Sequence, residues 1–364
     1  MDNKLLTLRG VTVTPVNVPM KRPLVTSVQT IVSAPMLLID VQTQEGVTGH
    51  AYVFCYLQRL AVAVKAACDE IAEAVTGERL APRHLAAQLK RHFRLVGATG
   101  VVNTALAGFD MACWDAMARA TGSPLVELLG GRRRPIRAYN SCGLGMSAPE
   151  TLAAEALELL EGGFKAVKIR LGRADLEADL RAVRTVRRVL PADVVLMADY
   201  NQALGRAEAL QRCRALDDEG LYWIEEPIRH DDYPGCAALA ASVATPIQIG
   251  ENFVGPQAMA LALAANACDY CMPDVERIGG VTGWMDAAAL AAVSGTPMSS
   301  HLMPEISAHL LAASASCHWL EYVDWADAIL QEPLQVVDGH VQMPDRPGSG
   351  IDWDAKAVRR LRIE

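Results

Sequence analysis

The stretch VVLMADYN, residues 194–201, is a short apolar run that ends at an acidic residue, Asp199. The same pattern returns at near-equal spacing in YWIEEP, where the acidic residue is Glu225, and in PIQIGEN, where it is Glu251. Apolar runs of this length between turn residues are typical of buried strands, and the segments between them are long enough for helices. A repeated strand–helix unit predicts a parallel sheet.

The same alternation of strands and helices extends in both directions from these three strands. It runs from about residue 136 to the region of residue 325, and it contains eight strands separated by helices: IRAYNS, AVKIR, VVLMADYN, YWIEEP, PIQIGEN, YCMPDV, PMSSHL and WLEYVDW. Closing such a sheet gives a modified TIM barrel of the (β/α)7β type, with chemistry at the carboxyl ends of the strands. We therefore predict an α/β protein with a barrel domain over residues 131–325.

The flanking parts have a different pattern. Residues 1–130 contain strand-like runs joined by a TQEG turn and then three helical segments, which predicts an α+β capping domain. Residues 326–364 contain turn signals and are predicted to pack back on the capping domain. Within the barrel, Ser147 and Glu150 have the spacing of a helix capping box.

Composition excludes several classes of function. The chain has 364 residues, is 51% hydrophobic and carries a net charge of −8. This charge argues against nucleic-acid and anionic-membrane partners. No apolar run is long enough to span a membrane, and the start lacks the apolar core of a signal peptide. The 9 cysteines show no framework spacing, which is typical of reduced thiols in the cytoplasm.

Polar side chains end nearly every predicted barrel strand, so they are expected to converge on one cavity. These side chains are Ser141, Lys168, Arg170, Asp199, Asn201, Glu225, Glu251, Asp274, His301 and Glu321.

Three of them, Asp199, Glu225 and Glu251, come from consecutive strands. Carboxylates that crowd together repel one another unless a cation lies between them, and hard oxygen ligands without a nearby thiol favour Mg²⁺. The alternative is that each acidic residue pairs with a lysine or arginine in its own loop. Because all three lie in register, we predict a magnesium site.

The ordered set of motifs resembles the enolase superfamily, and specifically its mandelate racemase subgroup. The resemblance covers essentially the whole chain, and its motifs are VKIRLG, MADYNQ, WIEEP, QIGEN, MPDVERIGGVTGW and SSHLMPEISAHLLAA followed by HWLE. It implies that the acidic triad binds Mg²⁺ and that the substrate carboxylate lies on the metal. It further implies His301 as a base paired with Asp274, and Glu321 as an acid that hydrogen-bonds the substrate carboxylate. Asn201, Ser141 and Lys168 would line the site.

These roles agree with elementary chemistry. Removal of a proton α to a carboxylate gives an enediolate with two negative oxygens, which Mg²⁺, Lys168 and a protonated Glu321 would stabilise. Histidine titrates near neutral pH, and Asp274 would orient the His301 ring.

Arg170 departs from the family pattern. Mandelate racemase has Lys-x-Lys on this strand, and its second lysine is one of two opposed bases. Here that position is Arg170, and an arginine is a poor proton acceptor because its pKa exceeds about 12.

Two interpretations follow. In the first, His301 is the only base: it removes the α-proton and returns it to a departing 3-hydroxyl, which gives an acid-sugar dehydratase. In the second, the enzyme is a 2-hydroxyacid racemase of the mandelate type. Apolar and aromatic residues on the loop at 22–32 and nearby favour the second interpretation, and we expect them to bind substrate: Val25, Val28, Ile31, Phe54 and Tyr56. The arginine favours the first, which we prefer.

A third interpretation is a degenerate barrel that binds a ligand without catalysis. The partner we expect is a small carboxylate, and the family resemblance suggests a homo-oligomer such as an octamer.

Overall fold

The structure is a computed structural model that describes residues 6–363. Its N-terminal part is an antiparallel sheet of order β1–β2–β3. The strands are β1 (Leu8–Val25), β2 (Thr30–Thr43) and β3 (Thr48–Phe54). Four helices follow: α1 (Gln58–Val75), α2 (Pro82–His92), α3 (Gly100–Thr121) and α4 (Leu125–Leu128).

Helix α3 packs directly on this sheet. Two glycines permit the close approach: a Cβ at Gly49 would lie 2.1 Å from the carbonyl oxygen of Ala112, and one at Gly108 would lie 2.3 Å from Ile39 Cδ1. No larger residue fits at either contact without displacing backbone or a packed side chain. The tip between β1 and β2, residues 26–29, extends beyond the sheet, where the backbone N–H of Thr26 donates to the carbonyl of Gln29.

The barrel follows, and the prediction of a modified TIM barrel is confirmed. Six consecutive strands pair in parallel, and β10 pairs in parallel with β4. The gap between β9 and β10 is bridged by Met298, which makes parallel bridges to Cys271 on one side and Cys317 on the other. The strands are β4 (Ile136–Asn140), β5 (Ala166–Arg170), β6 (Val195–Asp199), β7 (Ile224–Glu225), β8 (Ile247–Ile249), β9 (Tyr270–Cys271) and β10 (Leu320–Tyr322).

Helices occupy each connection between strands, as the sequence pattern predicts. They are α5 (Pro149–Glu158), α6 (Leu176–Val189), α7 (Arg206–Leu216), α8 (Tyr233–Ala240), α9 (Gly255–Ala264), α10 (Val275–Ile278), α11 (Gly280–Ser294) and α12 (Pro304–Ala313).

The predicted capping box does not form at the start of α5. The N-cap residue is Ala148, with no side-chain cap hydrogen bond. The carbonyl of Ser147 instead accepts from the guanidinium of Arg173, 3.2 Å away, so a contact distant in sequence holds this turn.

The C-terminal segment contacts both parts of the molecule. A short 3₁₀ turn (Asp327–Ile329) precedes β11 (Gln335–Val337), β12 (His340–Gln342) and α13 (Ala355–Leu361). Strand β12 pairs antiparallel with β4 of the barrel, while the N–H of Ile363 donates to the carbonyl of Pro15 on β1.

Aromatic side chains fill the N-terminal end of the barrel. Trp223 and Trp319 are buried there with Tyr139. The guanidinium carbon of Arg137 lies 4.7 Å from the centre of the Trp319 ring. This end is therefore a packed core, which leaves the C-terminal end for a site.

Two further findings concern the cysteines and the length of the helices. All nine cysteines are free thiols, including Cys268 and Cys271. Among residues 6–363, no helix has both the length and the apolar character needed to cross a membrane.

Candidate active site

A cavity of about 200 Å³ lies between the C-terminal ends of the barrel strands and the tip of the β1–β2 hairpin. Strand-end residues predicted from the sequence form its floor, among them Lys168, Arg170, Asp199, Glu251 and His301. The N-terminal part supplies its roof: Leu24, Thr26, Val28, Gln29, Ile31 and Tyr56.

Two members of the acidic triad, Asp199 and Glu251, line this floor, and Glu225 lies beside them. Asp199, Glu225 and Glu251 each offer a carboxylate oxygen, and these oxygens lie within 4.8 Å of one another. Asp199 and Glu225 are fully buried, and the Glu251 side chain is 12% exposed. Burial and the neighbouring Asp199 raise the pKa of Glu225 well above its ordinary value. A divalent cation bound by the three oxygens relieves this repulsion, so the ligand set fits Mg²⁺.

Lys168 connects the triad to Glu321. Its buried Nζ lies 2.8 Å from Glu225 Oε1, 3.3 Å from Asp199 Oδ2 and 2.9 Å from Glu321 Oε1. Burial opposes the ammonium charge, but Glu225 and Glu321 outweigh it and raise the pKa of Lys168 well above its usual range. Lys168 is therefore a fixed cation at the floor of the cavity.

His301 and Asp274 form a tight pair. The imidazole Nδ1 lies 2.6 Å from Asp274 Oδ2, while the other oxygen of Asp274 accepts from the backbone N–H groups of Glu276 and Arg277 at the start of α10. The free Nε2 lies 3.3 Å from Glu251 Oε2. Burial lowers the pKa of His301, but Glu251 and Glu321 overcome it and raise that pKa to about 9. The surroundings thus stabilise the imidazolium that proton abstraction would produce.

Glu321 differs from the expectation of a protonated acid. Burial favours its neutral form, but Lys168 and His301 hold the pKa of Glu321 below its usual range. Its Oε2 also accepts from the backbone N–H of Leu302, at 3.0 Å. Glu321 is therefore ionised in this arrangement, because two cations flank it.

Arg170 is 5% exposed and faces the same cavity. Its Nη1 donates to the carbonyl of Gly143 at 3.2 Å, and its Nε has no protein partner. A guanidinium placed this way presents donors to the cavity and offers no acceptor.

Asn201 and Gln202 follow β6 with positive φ values of 45° and 63°. The side-chain amide of Asn201 donates to Asp199 Oδ2 at 3.1 Å, and its Oδ1 is buried without a partner. Gln202 Oε1 accepts from the backbone N–H of His230 at 3.1 Å. Strained backbone of this kind is typical of ligand-binding turns.

The structure separates the residues predicted to bind substrate. Val28, Ile31 and Tyr56 line the cavity. Val25 and Ser141 instead line a small adjoining pocket of about 10 Å³.

Phe54 lies outside both pockets. It is 2% exposed and packs against Tyr56 and Trp325, with ring centres 4.3 Å and 5.1 Å apart. An apolar side chain next to a site cannot be told from a lining one by sequence alone, because both must be apolar.

Several polar lining residues were missed by sequence reasoning. They include Arg277, Asn252 and Gln202. Gln202 and Asn252 each follow a predicted site residue directly, which is a signal that could have found them. Arg277 lies within the quoted motif MPDVERIGGVTGW, but only the fold shows that its Nη2 reaches Tyr56 Oη, 3.1 Å away.

With this geometry established, the comparisons with known proteins identify the family. Residues 8–130 match the mandelate racemase/muconate lactonizing enzyme N-terminal domain, and residues 151–357 match the enolase C-terminal domain-like family. The chain belongs to the enolase superfamily. It is an enzyme of this superfamily, as the sequence predicts.

Known relatives act on or bind small carboxylates. L-talarate/galactarate dehydratase from Salmonella typhimurium is 32% identical over 269 residues, which cover 74% of this chain and 68% of the relative. An enolase from Bradyrhizobium in complex with magnesium and mandelic acid is 41% identical, with a TM-score of 0.95 and 100% coverage of both chains. An enolase from the alphaproteobacterium bal199 with bound magnesium is 44% identical, with a TM-score of 0.96, covering 98% of this chain and 100% of that one. With the ligand set described above, these superfamily neighbours confirm the prediction of a magnesium cofactor.

Proposed function

We propose that this enzyme removes the α-proton of a 2-hydroxycarboxylate with a single base, His301, and dehydrates an acid sugar. The observation that carries the proposal is the contrast between two side chains that face the cavity, one able to accept a proton and the other only a donor. In its neutral form His301, oriented by Asp274, can accept a proton at Nε2, whereas Arg170 presents donors only.

In the proposed reaction, His301 carries one proton from C2 to the departing hydroxyl. Its Nε2 takes the proton from C2, and the C–H electron pair moves into the carboxylate to give an enediolate. The pair then forms the C2–C3 double bond as the C3–O bond breaks, and the same proton leaves with the hydroxyl as water. The enol that remains becomes a 2-keto acid.

Lys168, and the metal that the triad would bind, would stabilise the negative charge of the enediolate. Bound Mg²⁺ supplies Lewis-acid stabilisation of the substrate carboxylate, and Asp199, Glu225 and Glu251 would hold it. Lys168 is already buried between Glu225 and Glu321, so its charge is in place before the reaction and needs no reorganisation.

The cavity lining supports a hydroxylated substrate. Val25 and Phe54, which favoured an apolar substrate, lie outside it, whereas Gln202, Asn252 and Arg277 line it. Arg170 Nε and Asn201 Oδ1 are buried without a partner and favour a substrate that pairs with them, because an unpaired buried group is costly. The dehydratase relative from Salmonella typhimurium agrees with this substrate class.

A second candidate is a 2-hydroxyacid racemase of the mandelate type. Two observations favour it: the Bradyrhizobium neighbour is in complex with mandelic acid, and Val28 and Ile31 line the roof of the cavity. This candidate requires a second proton acceptor opposite His301.

Three features remain predictions: the homo-oligomeric assembly, the cytoplasmic location and the domain boundaries at residues 130 and 325. The third interpretation, a non-catalytic binding protein, is not favoured.

The test is product analysis by NMR after incubation with Mg²⁺ and a panel of aldonic acids, aldaric acids and mandelate. We expect conversion of at least one acid sugar to a 2-keto acid. Interconversion of mandelate enantiomers with no loss of water from any sugar acid would contradict the dehydratase and favour the racemase.

A further inference from the structure

The end of strand β3 contacts the barrel segments that carry the catalytic groups. Tyr52 and Phe54 lie at the end of this strand, and Tyr56 follows two residues later. Each of the three residues contacts a different barrel segment, beginning with the one that follows His301.

Tyr52 contacts the segment after His301. Its Oη donates to Glu305 Oε2 at 2.6 Å, and both side chains are buried. Glu305 lies in the first turn of α12, four residues beyond His301. The contact therefore ties β3 to the start of the helix that follows the base.

Phe54 contacts the segment after Asp274. Its backbone N–H donates to Glu276 Oε2 at 2.9 Å, and the hydroxyl of Thr104 on α3 donates to Glu276 Oε1 at 3.1 Å. Both oxygens of this buried carboxylate are therefore held by the N-terminal part. The N–H of Glu276 in turn donates to Asp274 Oδ1 at 2.6 Å, so a shift of Glu276 moves Asp274.

Tyr56 contacts the segment that carries Glu251. Its Oη accepts from Arg277 Nη2, and Nη1 of the same guanidinium donates to the carbonyl of Glu251 at 3.2 Å. Three contacts from one strand end thus reach the segments of His301, Asp274 and Glu251.

We propose that Thr104, Tyr52 and the Phe54 backbone are positioning groups that set the His301–Asp274 geometry from outside the barrel. The inference rests on the proposed function in one respect, the role of His301 as the base. The physical reason is that Glu276 loses a buried hydrogen bond when a partner is removed, and it then moves to find another. A displacement near 1 Å in a catalytic group lowers a rate by up to about 100-fold.

The experiment compares two matched substitutions, Thr104→Val and Thr282→Val. Both remove a hydroxyl that binds a buried carboxylate across the boundary between α3 and the barrel, since Thr282 Oγ1 donates to Asp110 Oδ1 at 2.6 Å. Only Thr104 binds a carboxylate next to Asp274. We expect Thr104→Val to lower kcat at least tenfold with KM within twofold, and Thr282→Val to leave kcat within twofold. Equal effects of the two variants on kcat would overturn the proposal.

A second readout does not depend on turnover. In protein labelled with ¹⁵N-histidine, the Nδ1–H resonance of His301, assigned by its loss in His301→Asn, should shift in Thr104→Val and stay in place in Thr282→Val. If the wild type turns over no substrate but this shift is seen, the proposed function fails and the positioning survives. An unshifted resonance in Thr104→Val would refute the positioning alone.

A tyrosine pair keeps the test valid if Thr104→Val does not fold. Tyr52→Phe removes the hydroxyl bound to Glu305, and Tyr222→Phe removes one bound to His318 Nε2, 2.9 Å away at the other end of the barrel. We expect the resonance of His301 to shift in the first variant only. A shift in both, or in neither, would contradict the proposal.

Discussion

The two ends of this barrel use histidine in opposite ways. At the C-terminal end, Glu251 and Glu321 overcome burial and raise the pKa of His301 to about 9. At the N-terminal end, burial and then Arg137 lower the pKa of His318 to about 4. One ring lies among carboxylates and the other among aromatic rings and near Arg137, so an imidazolium is stabilised at one end and disfavoured at the other.

The surroundings of the two histidines favour chemistry at the C-terminal end of the barrel. His318 contacts Tyr222, Trp223, Tyr270 and Trp319, with ring centres 4.6 to 6.4 Å away. These contacts resemble a protein core. The strand ends around His301 instead hold a lysine, an arginine and several carboxylates, whose burial is tolerated because they pair with one another and face a cavity.

The largest effect should come from exchanging the two histidines for asparagine in turn. His301→Asn removes the proposed base, so kcat for α-proton exchange should fall by about 10³-fold, within the range for loss of general acid–base catalysis. His318→Asn should lose stability but keep kcat within about threefold, since its ring lies outside the cavity. Exchange followed by NMR in D₂O measures both. Turnover retained in His301→Asn would remove this residue from the base role.

Metal binding should distinguish the acidic triad from other buried acids. At Mg²⁺ near 100 times Kd, the wild type should gain about 2.7 kcal/mol of stability, seen as a raised Tm. Asp199→Asn should abolish this gain, whereas Asp110→Asn should keep it, because Asp110 is bound to Thr282 between α3 and α11. A Mg²⁺-induced shift that persists in Asp199→Asn would contradict the assignment of the site.

Acid should destabilise the protein through His318. Its folded pKa of about 4 lies below the unfolded value near 6.5, so the unfolded state binds more protons between these values. The stability it contributes is therefore complete above pH 6.5 and is lost as the pH falls toward 4. Between pH 7.5 and pH 5 this loss should be about 1–2 kcal/mol, allowing for partial exposure of the ring.

Chemical denaturation at several pH values checks this prediction. His318→Asn should show a smaller loss of stability than the wild type over the same range. If the two curves run parallel, His318 does not titrate as the burial argument requires.

The smallest expected effect on activity is that of Arg170→Lys. A lysine can release its proton when buried, so this variant should gain interconversion of substrate enantiomers, at a rate of about a tenth or less of the dehydration rate. Arg170→Met serves as the matched control, since it has no proton to exchange. Unchanged product stereochemistry in Arg170→Lys would show that the arginine is not what prevents racemisation.

The sequence predicted what depends on strand register. The spacing of Asp199, Glu225 and Glu251 places them at equivalent strand ends, and a closed sheet then brings them within 4.8 Å. For the same reason, Lys168 and His301 could be assigned to the floor of one cavity, with Asp274 bound to His301.

What the sequence did not predict depends on contacts between distant segments. Phe54 packs under Trp325, 271 residues further along the chain, and Ser147 is held by Arg173 instead of capping α5. Glu321 is ionised because Lys168 and His301 both approach it. None of these contacts has a local pattern, since each is fixed by how the two sheets and their helices pack.

The central claim is that one base serves the cavity. The most direct measurement is NMR in D₂O with Mg²⁺ on both C2 epimers of the acid sugar that the enzyme consumes. A single base at His301 predicts that the C2 proton is removed from one epimer only, with no deuterium appearing in the other and no interconversion. Deuterium incorporation into both epimers, with interconversion, would show a second base on the side of Arg170 and contradict the account.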